Sequence, residues 1–172
     1  MFHKYLFLLL IASSVGGCGL LAPVASTPTE APASRPPASA ERAEALLQTL
    51  LALGLDYRYG GAAPATGFDC SGLVAHVYRQ AWGIRLPHST LEQSKAGTAV
   101  GLDEIEAGDL VFYNTLNRPY SHVGIYVGDG RFVHAPKSGA RVRVESMKSA
   151  YWTQRYSGAR RIEPGAAVYS LK

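Results

Sequence analysis

The sequence has only two cysteines in 172 residues, Cys18 and Cys70, so it is not a disulfide-stapled scaffold. It has no CxxC or HExxH spacing, hence no zinc signature, and neither a metal nor a cofactor is expected. No apolar run reaches the roughly 20 residues that span a bilayer, which excludes a stable transmembrane helix. Neither charge sign dominates: 17 Lys and Arg against 13 Asp and Glu leave +4 at pH 7. There is no internal repeat.

What is there begins with a leader. Lys4 supplies positive charge, Tyr5 to Ile11 is apolar, and Ser13 to Gly17 are mostly small, the order of an export signal over residues 1–17. Val15-Gly16-Gly17-Cys18 resembles a bacterial lipobox, which implies cleavage before Cys18 and acylation of its thiol. Gly19 in place of an aspartate then implies an outer-membrane anchor facing the periplasm, by the sorting habit of enteric-type bacteria. Without Lys4 the balance is 16 basic to 13 acidic residues, or +3. Residues 18–40 turn to Pro, Ala, Ser and Thr, with Pro23, Pro28, Pro32, Pro36 and Pro37 breaking any periodicity, and read as a tether. Residues 41–172 are enough for one domain with its own core. Nucleic acid is not an expected partner of an exported chain. Basic side chains concentrate in the last quarter (Arg131, Lys137, Arg141, Arg143, Lys148, Arg155, Arg160, Arg161) and suit an anionic polymer or a membrane surface.

If Cys18 is acylated, Cys70 has no intrachain partner, and an unpaired thiol in an oxidising compartment is a candidate reactive group. Only the thiolate attacks carbonyls, so a nucleophilic cysteine needs its pKa of about 8.5 lowered. From Cys70, apolar residues recur at Leu73, Val74, Val77 and Ala81, one helix face that Gly83 ends. Cys70 then lies in the first turn, where unpaired N–H groups favour a thiolate, with Asp69 as N-cap. A second helix, capped by Ser39, is predicted over Glu41 to Leu53, with Leu46, Leu47, Leu50, Leu51 and Leu53 as a buried face. Ser89 and Glu92 form a capping box for a short helix that Gly97 closes.

The second half changes to a period of two. Asp109 to Asn114, Ser121 to Gly128, Arg131 to Ala135 and Ala140 to Glu145 read as strands, so the chain is α+β, helices first and an antiparallel sheet after. His122 alternates against Val123, Ile125 and Val127, on the opposite face. Its relation to His134 depends on the turn between their strands. A two-residue turn at Asp129-Gly130 puts the histidines on opposite faces. A three-residue loop, Gly128-Asp129-Gly130, sets Gly124 opposite His134, makes the imidazoles diagonal neighbours, and leaves room for a ring over Gly124. The three-residue loop is predicted. One thiol and two imidazoles together point to nucleophilic catalysis.

Tyr57-Arg58-Tyr59-Gly60-Gly61, Phe68-Asp69-Cys70-Ser71-Gly72-Leu73-Val74, Leu86-Pro87-His88-Ser89-Thr90, Ala107-Gly108-Asp109-Leu110-Val111-Phe112, His122 to Gly128, Phe132 to Ala135 and Tyr151-Trp152 resemble, in order and spacing, the NlpC-type cell-wall cysteine peptidases, in particular their lipoprotein murein endopeptidases. The resemblance runs from about Ala43 to Ile162. It implies a papain-like fold and hydrolysis of peptidoglycan, at the D-Ala to meso-diaminopimelate cross-link in preference to the D-Glu to diaminopimelate stem bond. It also implies Cys70 as nucleophile, His122 as general base and acid, His134 orienting His122, and Tyr57 lining the site by the scissile carbonyl. Asp69 and Ser71 contact a substrate amine in family members, and Tyr59 would pack beside the Gly-Gly turn. His88 stands where relatives often carry arginine, and the Tyr57 to Cys70 loop is one residue longer, which affects stem-peptide preference. A non-catalytic wall-binding scaffold and a papain-like amidase or acyltransferase are the alternatives.

Overall fold

A computed structural model describes residues 38–164. The leader, Cys18 and the tether up to residue 37 lie outside the described residues. The elements are α1 (Ala38–Leu51), β1 (Ala62–Ala63), β2 (Gly67–Phe68), α2 (Cys70–Trp82), α3 (Thr90–Gln93), β3 (Thr98–Val100), β4 (Leu110–Tyr113), β5 (His122–Gly128), β6 (Arg131–His134), β7 (Arg143–Ser146), α4 (Ala150–Thr153) and β8 (Tyr156–Arg161). Six strands form one antiparallel sheet in the order β3-β8-β4-β5-β6-β7, and β1 with β2 makes a separate small hairpin.

The sheet has an apolar layer on each face. On one side Leu110, Phe112, Val123, Ile125 and Val133 pack with Leu73, Val74, Val77 and Tyr78 of α2. On the other, Val111, Tyr113, Phe132, Trp152 and Ala159 form a second cluster. The strands are therefore buried on both faces near their centre, as the period-two pattern requires for two covering layers.

The helix at Cys70 forms as the sequence dictates. Asp69 caps it, its carboxylate accepting from the Gly72 N–H at 2.7 Å, and Gly83 ends it in the left-handed conformation at φ 68°. Ser89 caps α3 through the Glu92 N–H, as the capping box predicts.

Helix α1 departs from expectation. It already includes Ala38, Ser39 and Ala40, so Ser39 lies inside it and is not its cap. Ala45 and Thr49 are its buried positions, followed by buried Ala52 just past its end, while Leu47, Leu50 and Leu51 face solvent, as does Leu53 beyond it. Burial at small residues is what close approach of two helices requires, and α1 packs on α2. No described helix is long and apolar enough to cross a membrane.

The turn between β5 and β6 resolves the histidine register by a third route. Gly128 pairs with Arg131 across a two-residue turn, in which Asp129 and Gly130 take φ of 54° and 70°. A bulge at Val127 then shifts the ladder by one residue, so Tyr126 pairs with Phe132 and Ile125 with Val133. The three-residue loop is thus not formed, yet the bulge restores the register it was invoked for. Gly124 is indeed crowded by a ring, but that ring is Phe132, whose Cδ2 lies 2.5 Å from where a Cβ would stand.

Candidate active site

The start of α2, the Tyr57-to-Gly61 segment and the start of β5 converge on a groove of about 750 Å3, whose walls include Tyr57, Asp69, Cys70, Ser71, His88 and His122. Chain closeness there is strict. A Cβ on Gly72 would stand 2.0 Å from the Gly61 carbonyl oxygen, and Gly61 in turn accepts from the Asp69 N–H at 3.0 Å. The Gly60-Gly61 turn is in this way clasped onto the helix start that carries the thiol.

Cys70 is a free thiol. The backbone N–H groups of Val123, Ser71 and Cys70 itself each favour the thiolate. Burial and the neighbouring Asp69 carboxylate outweigh them and push the thiol up to about 11. The helix start alone predicts a lowered value, so the net direction is a correction: the cap that builds the helix also places a negative charge beside the sulfur.

Asp69 is a four-way acceptor. Oδ1 takes Gly72 N–H, the Ser71 hydroxyl at 3.1 Å and the His88 ring at 2.8 Å, and Oδ2 takes the Gly60 N–H at 2.9 Å. His88 is thus tied to the same carboxylate that caps α2. Ser71 is committed to this network, and its carbonyl accepts from Gln93. Tyr57 faces the groove with its hydroxyl held protonated, burial and the Cys70 and Asp69 charges raising its pKa. Tyr59 does not pack beside the turn and is 87% exposed.

The two imidazoles meet. His122 Nε2 lies 2.7 Å from His134 Nδ1, the rings nearly perpendicular, with both side chains buried. That bond occupies one ring nitrogen of His122 and leaves Nδ1 for the groove. His134 does not line the groove. It borders a second cavity of about 500 Å3, shared with His122, Glu145 and Trp152. Burial lowers both histidines, His122 to about 4 against an opposing pull from Glu145, so each is neutral near pH 7. Trp152 stacks on His122 at 5.7 Å between ring centroids and donates its indole N–H to Glu145 at 2.7 Å. Sequence reasoning missed Glu145, which stands in an ordinary strand pattern, and the Val123 N–H, a backbone donor that no residue type announces.

Several of the clustered basic residues are spoken for: Arg131 pairs with Asp129, Arg141 with Asp56, Arg143 with Glu145 and Arg161 with Asp109. Much of that basic quarter is therefore internal charge balance. No group of three metal-ligating side chains occurs among the described residues.

A helix-borne thiol packed against an antiparallel sheet with buried histidines defines the α+β papain-like fold. Residues 54–161 match the NlpC/P60 family, and the chain belongs to it. It is 42% identical over 109 residues to murein DD-endopeptidase MepS/murein LD-carboxypeptidase of Escherichia coli strain K12, covering 63% of this chain and 56% of that protein. It is 42% identical over 112 residues to the gamma-DL-glutamyl hydrolase of Bacillus subtilis strain 168, covering 64% of this chain and 27% of that one. Among solved structures, the NlpC/p60 domain of peptidoglycan hydrolase SagA superposes with a TM-score of 0.61 at 34% identity, covering 70% of this chain and 98% of that domain. The chain spans about half the length, or less, of the curated relatives it matches.

Proposed function

We propose that this protein is a peptidoglycan endopeptidase of the cysteine type, anchored to the outer membrane through acylated Cys18 and facing the periplasm. The observation that carries the catalytic reading is the 2.7 Å bond between His122 and His134 beside a groove that also holds a free Cys70. Cys70 and His122 rest neutral, since burial raises the thiol and lowers the imidazole. The thiol proton then moves to His122 Nδ1 as sulfur attacks the scissile carbonyl carbon. Charge develops on the carbonyl oxygen, and the Tyr57 hydroxyl with N–H groups at the α2 start are its donors. His122 returns the proton to the leaving amine, and water releases the acyl group from Cys70. Asp69 and Ser71 hold the helix start and border the substrate groove.

The D-Ala to meso-diaminopimelate cross-link is the favoured bond, supported by the likeness to a murein DD-endopeptidase. Equal identity to a gamma-DL-glutamyl hydrolase supports the D-Glu to diaminopimelate bond as the second reading. The Pro-rich composition between Cys18 and the domain supports reading that stretch as a tether.

Incubating the purified protein with sacculi and weighing the released fragments tests this. Fragments from wild type that vanish with Cys70→Ala are expected, and their masses assign the bond. Equal digestion by both proteins would remove Cys70 as nucleophile. Sacculus binding without digestion would favour a wall-binding scaffold, and inertness toward sacculi an amidase or acyltransferase with another substrate.

A further inference from the structure

His134 Nε2 is buried and has no hydrogen-bond partner, although the other nitrogen of the same ring is tied to His122. A buried ring nitrogen without a partner is costly unless something nearby decides whether it carries the proton. The nearest such group is Glu145, whose Oε1 lies 3.8 Å away. The register explains the approach. Phe132 pairs with Glu145 and His134 with Arg143, so Glu145 is the diagonal neighbour of His134 on one face of the β6-β7 ladder. The carboxylate is held in place, Oε2 by the Trp152 indole at 2.7 Å and Oε1 by Arg143 at 2.6 Å.

We propose that Glu145 is a positioning residue that keeps the His134 proton on Nε2 and thereby leaves His122 Nδ1 able to accept the Cys70 proton. Two neutral arrangements of the imidazole pair exist. With the proton on His134 Nε2, Nδ1 accepts from the His122 Nε2–H, and His122 Nδ1 presents a lone pair to the groove. With the proton on His134 Nδ1, that ring donates to His122 Nε2, His122 carries its own proton on Nδ1, and it cannot take one from a thiol. The second arrangement also turns a bare nitrogen lone pair toward a carboxylate. Glu145 therefore selects the first. When the Cys70 S–H bond breaks and an N–H bond forms at His122, the imidazolium gains from the same negative charge. Closing the His134 to Glu145 gap by about 1 Å turns it into a hydrogen bond at that stage.

This deepens the proposed reaction and rests on Cys70 and His122 as the reacting pair, but its decisive measurement does not need activity. Histidine 15N spectra of the whole protein at neutral pH are expected to show His122 and His134 both protonated at Nε2. Glu145→Leu is expected to convert a substantial share of His134 to the Nδ1–H form, and kcat on sacculi to fall about 10- to 100-fold with KM little changed. Glu145→Asp is expected to recover part of both. If the leucine variant does not fold, Glu145→Gln decides by the same spectra. Unchanged tautomers in a folded variant overturn the proposal. Shifted tautomers in a protein whose wild type leaves sacculi intact would support the proton arrangement and sink the hydrolytic reading instead.

Discussion

The Trp152 indole covers one face of His122 at 25° from parallel while its N–H is bonded to Glu145. One side chain thus shields the ring that borders the groove and fixes the carboxylate behind its partner. Trp152→Phe keeps an aromatic cover but loses the donor, which is expected to cost about 1 kcal/mol of stability. Trp152→Ala removes the cover as well, and about 3 to 5 kcal/mol follows from loss of a buried aromatic. Urea unfolding of the two variants orders these losses; an unchanged Trp152→Phe would contradict the role of the N–H, and equal losses in both variants would contradict that of the aromatic cover.

Acid is expected to weaken the fold through the histidine pair. Burial depresses both pKa values, His122 to about 4, whereas in the unfolded chain each titrates near 6.5. Between these values the unfolded state binds more protons, so stability is fully present above about pH 6.5 and declines as pH falls toward 4, by up to about 1.4 kcal/mol per pH unit for each ring. Unfolding midpoints measured across that window should slope accordingly. A flat profile would mean the rings are charged in the fold.

Asp69 holds the helix cap at the cost of thiol acidity. Asp69→Asn removes the charge that raises Cys70, so the thiol pKa is expected to fall from about 11, read as faster alkylation at a fixed mildly alkaline pH. The same change weakens the cap shared by Gly72, Ser71, Gly60 and His88, with an expected loss of about 1 kcal/mol. Slower alkylation in a folded variant would contradict the electrostatic assignment.

Asp109 is 1% exposed and receives two bonds from Arg161, at 3.0 and 2.7 Å. Arg161→Ala leaves that carboxylate with the Glu106 N–H at 2.8 Å and a longer contact to Arg42 at 3.5 Å, and a loss of about 2 kcal/mol is expected. Arg161→Lys restores charge without the two-point geometry and should recover only part of it. Denaturant midpoints for the pair test this.

The parts of the fold written in local chemistry were legible. Asp69, the Leu73-Val74-Val77 face and Gly83 announce α2 from end to end, and the alternation from His122 to Val127 announces β5. The face of α1 was not, because its leucines are more hydrophobic than the Ala45 and Thr49 that geometry selects for close packing. Strand β8 lacks apolar alternation in Tyr-Ser-Gly-Ala-Arg-Arg, yet it lies between β3 and β4, its Arg161 serving an ion pair that sequence spacing does not display. The histidine partnership was legible as a condition on register. How the chain meets it, through a bulge, was not, since a bulge at Val127 has no residue signature of its own.

That bulge is where the hairpin takes up its odd residue. Without Val127, Gly128 would still face Arg131 and Tyr126 would still face Phe132, so His134 would be delivered to the same side by a regular ladder. The connection can therefore shorten by one residue at Val127 without parting the two imidazoles, a tolerance that no single substitution would reveal.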